Sequence, residues 1–230
     1  MKNGLMARRR EDICVLRLRA RKILAELKKL FPRTGITLRY ENTWELLVAV
    51  ILSAQCTDKM VNKVTEGLFK KYRTIDDYAR AHPAEFEKNI YRTGLYRNKT
   101  KNIIAAAKKI RDEFGGSVPD TMRELISLPG VARKTANVVL GNAFGKIEGI
   151  AVDTHVKRFA RKFRLSAHGD PKKIEKDLIS LFPRKEWFLL TYRFIEYGRN
   201  VCPARRHDCA SHPLTKIYPN AAKIWPSARG

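Results

Sequence analysis

A lysine follows a glycine turn in the run Leu128-Pro-Gly-Val-Ala-Arg-Lys-Thr-Ala136, and a carboxylate comes one short loop later in Val152-Asp-Thr-His-Val156. Gly130 suits a tight hairpin, because a residue without Cβ lets the chain turn sharply and brings backbone N–H groups close to an anion. Arg133 and Lys134 open the helix that follows. A lysine amine attacks an electrophilic carbon and forms a Schiff base with it. An ordinary lysine, with a pKa of about 10.4, is almost wholly protonated at neutral pH, so this role requires surroundings that favour the neutral amine. Asp153 offers a carboxylate that can steady a developing positive charge or move a proton. Plainer readings stand beside these: the hairpin with Arg133 and Lys134 as a non-catalytic phosphate clamp, and Asp153 as the N-cap of its helix, bonded to Val156. His155 beside it reads as structural.

The elements that must position these groups read as helices almost throughout. A basic amphipathic stretch from Glu11 to Leu30 ends at Phe31-Pro32. Thr43 is expected to cap Trp44 to Ala54, which is apolar nearly all round and so a central, buried helix. Asp58 to Tyr72, Pro83 to Tyr91 and Lys99 to Phe114 follow, the second with proline in its first turn and the third ended by Gly115-Gly116. Thr121 starts a short helix before the hairpin, and Val138, Val139 and Leu140 bury the helix after it. Asp153 to Phe163, Pro171 to Leu181 and Lys185 to Asn200 complete the pattern. The fold class is all-α, with no legible strand and no repeat at fixed period. Only the Gly94 and Gly130 turns are weakly alike, each leading into a basic helix.

Composition narrows the partners. The chain has 47 Lys and Arg against 23 Asp and Glu, a formal net charge of +24, and a pI near 10.2. Such an excess attracts a polyanion, nucleic acid first and an anionic membrane second. No apolar run reaches the roughly 18 residues that a spanning helix needs. The start of the sequence has charge but no apolar segment or small-residue cleavage site, so it does not read as a secretory signal. Four cysteines in 230 residues do not make a disulfide scaffold, which favours a reducing, cytoplasmic compartment. The Arg8 to Arg10 cluster reads equally as a solvated arm or a non-specific DNA contact.

The hairpin run through Gly145, followed by Ala151 to Val156, closely resembles the helix-hairpin-helix DNA glycosylases, and among them the endonuclease III branch. Leu52-Ser-Ala-Gln-Cys-Thr-Asp58 and Thr93-Gly-Leu-Tyr-Arg-Asn-Lys99 extend the match over most of residues 40 to 202. This resemblance implies a two-lobed helical fold: a central bundle over 36–147 and a second lobe from 1–35 plus 148–230. DNA would cross the cleft between them, with the break at Gly145 to Gly149. It implies a base-excision glycosylase that removes oxidised pyrimidines from duplex DNA and cleaves the strand at the abasic site. Lys134 would be the Schiff-base nucleophile and Asp153 the carboxylate. Gly130, Ala132 and Arg133 would hold DNA, and Gln55 and Leu95 would fill the gap left by the extruded nucleotide. Leu95 also reads as a residue folded back onto its own helix, and Asp58 as part of the cap after Thr57. Two alternatives stay open, a mismatch-directed glycosylase acting on G:T or G:U pairs and a DNA-binding protein without activity. The expected partner is duplex DNA bearing damaged or abasic nucleotides, bound by a monomer in the cytoplasm at the nucleoid, with no membrane.

The sequence departs from the family pattern twice. Ala132 stands where many relatives have glycine, which costs about 1 kcal/mol if the position requires a left-handed backbone. Many relatives also end with four cysteines spaced C-x6-C-x2-C-x5-C around an iron–sulfur cluster. Here Cys202 and Cys209 match the first two positions, but His212 and Tyr218 stand at the others. Two thiolates do not hold a cubane, so the expectation is no cofactor. The alternative is a metal on Cys202, His207, Cys209 and His212, whose spacing is unlike the usual zinc pairs. Without metal the C-terminal segment would rest on Ile217, Tyr218, Ile224 and Trp225.

Overall fold

The computed structural model describes residues 12–225, so the Arg8 to Arg10 cluster lies outside the described residues. These residues form twelve α-helices and three short 3-10 turns, with no strand among them. The chain divides into two compact units, Gly35–Ala151 and a second built from both ends of the chain, up to Thr34 and from Val152 onward.

The central unit is organised around α2 (Thr43–Leu52), in which every residue from Trp44 to Leu52 is buried. Full burial of a Leu, Ile or Val side chain stabilises by roughly 1.5–3 kcal/mol, so this helix anchors the unit. Its cap is Asn42 rather than Thr43. The extended Asn42 accepts a hydrogen bond from Glu45 N at 2.9 Å, and Glu45 Oε2 accepts one from Glu41 N at 2.7 Å. The helix stops at Leu52 instead of Ala54 because Gln55 takes a left-handed backbone, φ 54°. After it come α3 (Asp58–Lys71), α4 (Ile75–Ala79), α5 (Pro83–Ile90), α6 (Tyr96–Glu113), α7 (Met122–Ser127) and α8 (Arg133–Ala143). α4 packs on α6, and α8 on α2. Five residues are too few to show a period, yet α4 has a legible start. Thr74 and Asp77 cap each other's backbone reciprocally. Asp58 does not cap α3; Thr57 does, from Met60 N, while Asp58 accepts the Thr37 hydroxyl at 2.5 Å.

The terminal unit packs α1 (Ile13–Leu30) with α9 (Thr154–Lys162), α10 (Pro171–Leu181), α11 (Trp187–Asn200) and α12 (Pro213–Ile217). Its aromatic core centres on Phe159, whose ring lies 5.9 Å from Phe163, 5.6 Å from Phe194 and 5.2 Å from Tyr197. α9 and α11 approach closely at Gly198, where any Cβ would run into the His155 imidazole, so His155 packs at this crossing. The buried Glu186 carboxylate joins α1 to α11, accepting from Lys28 and Arg193 at 2.7 Å each. Tyr218 packs its ring on the Arg19 guanidinium, 4.1 Å from the centroid.

Candidate functional site

In the central unit α7, the turn Leu128–Ala132 and α8 form the hairpin. Gly130 has φ +79°, and a Cβ there would stand 2.8 Å from Cβ of Asn102. Both backbone and space therefore demand glycine. Ala132 occupies the N-cap position of α8 with φ −91° and ψ 169°, an extended conformation open to any residue. The departure from glycine there carries no left-handed strain. No side chain among the described residues caps α8, so its first turn keeps the positive end of the helix open to an anion. Arg133 is the first residue of this helix and Lys134 the second, both half-buried. The Lys134 ammonium has no hydrogen bond or ion pair within the described residues. Behind it, Ala136 to Leu140 are buried and fix the helix on α2.

Two further turns of the central unit carry strained residues. Among the described residues only Gln55, Leu95 and Arg164 are non-glycine residues with positive φ. Such backbone costs of order 1 kcal/mol and persists where the surroundings enforce it. Gln55 is exposed, and Leu95, at the N-cap of α6 with φ 49°, is 54% exposed and so does not fold back onto its helix. A buried lysine braces both turns. Lys99 is 4% exposed, and its ammonium donates to Leu52 O, the orphan carbonyl at the end of α2, and to Thr93 O, each at 2.8 Å. Burial holds its pKa below the ordinary lysine value. Sequence reasoning passed over Lys99, although it shares the buried stripe of α6 with Ile103, Ala106 and Ile110.

Asp153 belongs to the terminal unit. It is half-buried at the N-cap of α9, and its Oδ1 accepts Val156 N at 2.8 Å. The capping reading is thus realised, and one carboxylate oxygen remains for other chemistry.

Also in the terminal unit, one donor atom from each of Cys202, His207, Cys209 and His212 lies within 4.8 Å of the others. This corrects the expectation of no cofactor: the chain brings together a set competent to hold a metal. The misleading signal was spacing. His207 is outside the family's cysteine positions, but the turn after α11 folds it back beside Cys209 and His212. The set does not fit a four-cysteine cluster, because a cubane is held by four thiolates and only two of these residues are cysteines. It fits a single ion.

The family described as HhH-GPD superfamily base excision DNA repair protein matches residues 48–184. Endonuclease III of Synechocystis sp. is 49% identical over 203 residues, covering 88% of this chain and 93% of that protein. Two solved structures, a non-covalent Endonuclease III–DNA complex and a trapped Endonuclease III–DNA covalent intermediate, each match at TM-score 0.85 and 43% identity. Each match covers 90% of this chain and 97% of the other. No helix among the described residues is long and apolar enough to cross a membrane. A glycine hairpin opening onto a lysine-bearing helix, with identity sustained along nearly the whole chain, places this protein in the HhH-GPD superfamily of base excision DNA repair proteins.

Proposed function

We propose that this protein is a bifunctional DNA glycosylase and abasic-site lyase that removes oxidised pyrimidines from duplex DNA. The observation that carries the reading is Lys134 itself, an amine without a partner among the described residues, on the first turn of α8. Its amine attacks the sugar C1′ of the damaged nucleotide and the bond from C1′ to the base breaks; the C1′–O4′ bond then opens, O4′ takes up a proton given up by the lysine nitrogen, and a C1′=N bond remains. The resulting Schiff base acidifies C2′, a proton is lost there, and the 3′ phosphate is eliminated. Hydrolysis then frees the lysine. Asp153 contributes the free oxygen of its carboxylate, which steadies the positive charge that develops on the sugar.

DNA is held by the Gly130 hairpin, with backbone N–H groups from Ala132 and Arg133 onward directed at a phosphate, and Gln55 and Leu95 fill the duplex beside the extruded nucleotide. The exposed, strained conformations of these last two support the wedge role. A relative that was trapped as a covalent intermediate with DNA supports the Schiff-base chemistry. The charge of +24 supports residence on the nucleoid in the cytoplasm. Single-turnover excision on duplexes carrying oxidised pyrimidines, G:T and G:U pairs, or an abasic site tests this reading. Oxidised pyrimidines and abasic sites should be processed fastest. Preference for G:T or G:U would move the assignment to mismatch repair, and binding without cleavage of any duplex would make the protein a non-catalytic binder.

A further inference from the structure

A second chemically competent set of side chains lies at the junction of α11 and α12. Cys202 follows the end of α11, its N–H closing onto Tyr197 O at 2.8 Å, and His212 is the residue from which α12 starts. The turn between them doubles back, so that sulfur and nitrogen donors of Cys202, His207, Cys209 and His212 converge within 4.8 Å. Both cysteines are buried, at 0% and 1% exposure.

The imidazoles are prepared as ligands. His207 Nδ1 lies 2.7 Å from Arg205 O. A carbonyl only accepts, so Nδ1 carries the hydrogen and Nε2 presents its lone pair. That Nε2 is buried and has no hydrogen-bond partner among the described residues, and the same is true of His212 Nδ1. Two buried ring nitrogens without partners, facing two buried sulfurs, share one unmet need, which a cation would satisfy.

We propose that Cys202, His207, Cys209 and His212 bind a single zinc ion in a closed tetrahedral site. Two thiolates and two imidazoles are a borderline-soft donor set that suits zinc. A tetrahedral zinc ion spaces its donors about 3.3–3.8 Å apart, so the four side chains reach it by closing about an ångström. Binding releases the two thiol protons, and the thiolates cancel the charge of the ion. The Arg158 guanidinium, with Nη1 3.9 Å from Cys202 Sγ, adds a cation beside the thiolate. All four positions are filled by protein, which leaves no coordination position for substrate and makes the role structural.

The ion closes the turn between α11 and α12, a segment that side chains of α9 also hold. Arg158 already donates to Cys202 O at 2.8 Å and Pro203 O at 3.2 Å. Lys162 donates to Ile224 O at 3.0 Å beneath the Trp225 ring, 3.9 Å from its centroid, and the indole meets His207 edge-on at 5.0 Å.

Full-length protein purified without chelators should contain about one zinc per chain by plasma mass spectrometry and no acid-labile sulfide. Cobalt(II) added to chelator-stripped protein should give the visible bands of a tetrahedral site with sulfur ligands. Cys209→Ser and His207→Ala should lower zinc content tenfold or more, with circular dichroism to show that the helices persist. Because a variant can lose zinc by unfolding, wild-type melting is the second measurement. It should fall by several degrees on chelation and recover with zinc but not magnesium. Iron and sulfide at about four each per chain would overturn the proposal. A Cys202–Cys209 disulfide in protein alkylated at lysis, or melting indifferent to zinc, would overturn it equally.

Discussion

Replacing Gly130 by alanine separates the two demands that the hairpin makes. The first is conformational: at φ +79° a Cβ costs about 1–2 kcal/mol. The second is spatial: the new methyl would stand 2.8 Å from Asn102 Cβ and 3.1 Å from its Cγ, and such overpacking costs about 1–3 kcal/mol. Together they give about 2–5 kcal/mol. Gly145 is the internal control. It has φ +63° but nothing within 4 Å of its would-be Cβ, so Gly145→Ala should cost only the backbone part, about 1–2 kcal/mol. Urea denaturation followed by circular dichroism measures both. Shortening Asn102 to alanine should not rescue Gly130→Ala, because the atom in the way is Cβ itself. Displacing the hairpin should also weaken binding to an abasic-site duplex by tenfold or more, equivalent to about 1.4 kcal/mol, while Gly145→Ala stays within about twofold. Equal destabilisation by the two variants would refute the steric argument, and unchanged DNA binding by Gly130→Ala would detach the hairpin from the DNA.

Lys99→Met leaves Leu52 O and Thr93 O buried without donors, and should cost about 2–4 kcal/mol while slowing excision through looser Gln55 and Leu95 turns; an unchanged melting temperature would dismiss the brace. Leu95→Ala should slow excision several-fold in duplex DNA but much less on an already unpaired base, which is cheaper to extrude. Equal slowing on both substrates would argue against a wedge. For Glu186, burial raises the carboxyl pKa but the hydrogen bonds from Lys28 and Arg193 outweigh it, holding the pKa below the ordinary 4.5. The stabilisation is therefore present above pH 4.5 and lost as pH falls through the lower folded value. Glu186→Gln should destabilise at neutral pH by about 2–4 kcal/mol and show a shallower acid loss than the parent protein, and parallel stability curves would remove the linkage.

How much the sequence discloses depends on the range of the forces that set each feature. Long helices with clear caps or strong periodicity are legible, as α10 shows: Pro171 to Leu181 is expected and Pro171–Leu181 is observed. The extra helices α4 and α12 each span only five residues and lack a measurable period. α6 begins at Tyr96 rather than Lys99 because Leu95 turns the chain in a left-handed conformation that no local pattern announces. Gly130 and Lys134 stand out by residue type and position. Lys99 escapes because its meaning lies in partners brought together by folding, and Cys202, His207, Cys209 and His212 are legible only as an alternative metal set, because their spacing does not announce the turn that gathers them. Lys99 reaches a carbonyl 47 residues away, and His207 joins the cysteines through a turn with no familiar spacing.

The most direct test of Lys134 as the nucleophile is borohydride reduction of the protein with a duplex containing one abasic site, followed by peptide mapping of the adduct. The wild-type chain should be trapped on DNA through Lys134, and Lys134→Gln should still bind the duplex while trapping falls by at least about a thousandfold, as expected when a covalent nucleophile is removed. Efficient trapping of Lys134→Gln, or an adduct mapped to another amine in the wild-type chain, would contradict the assignment.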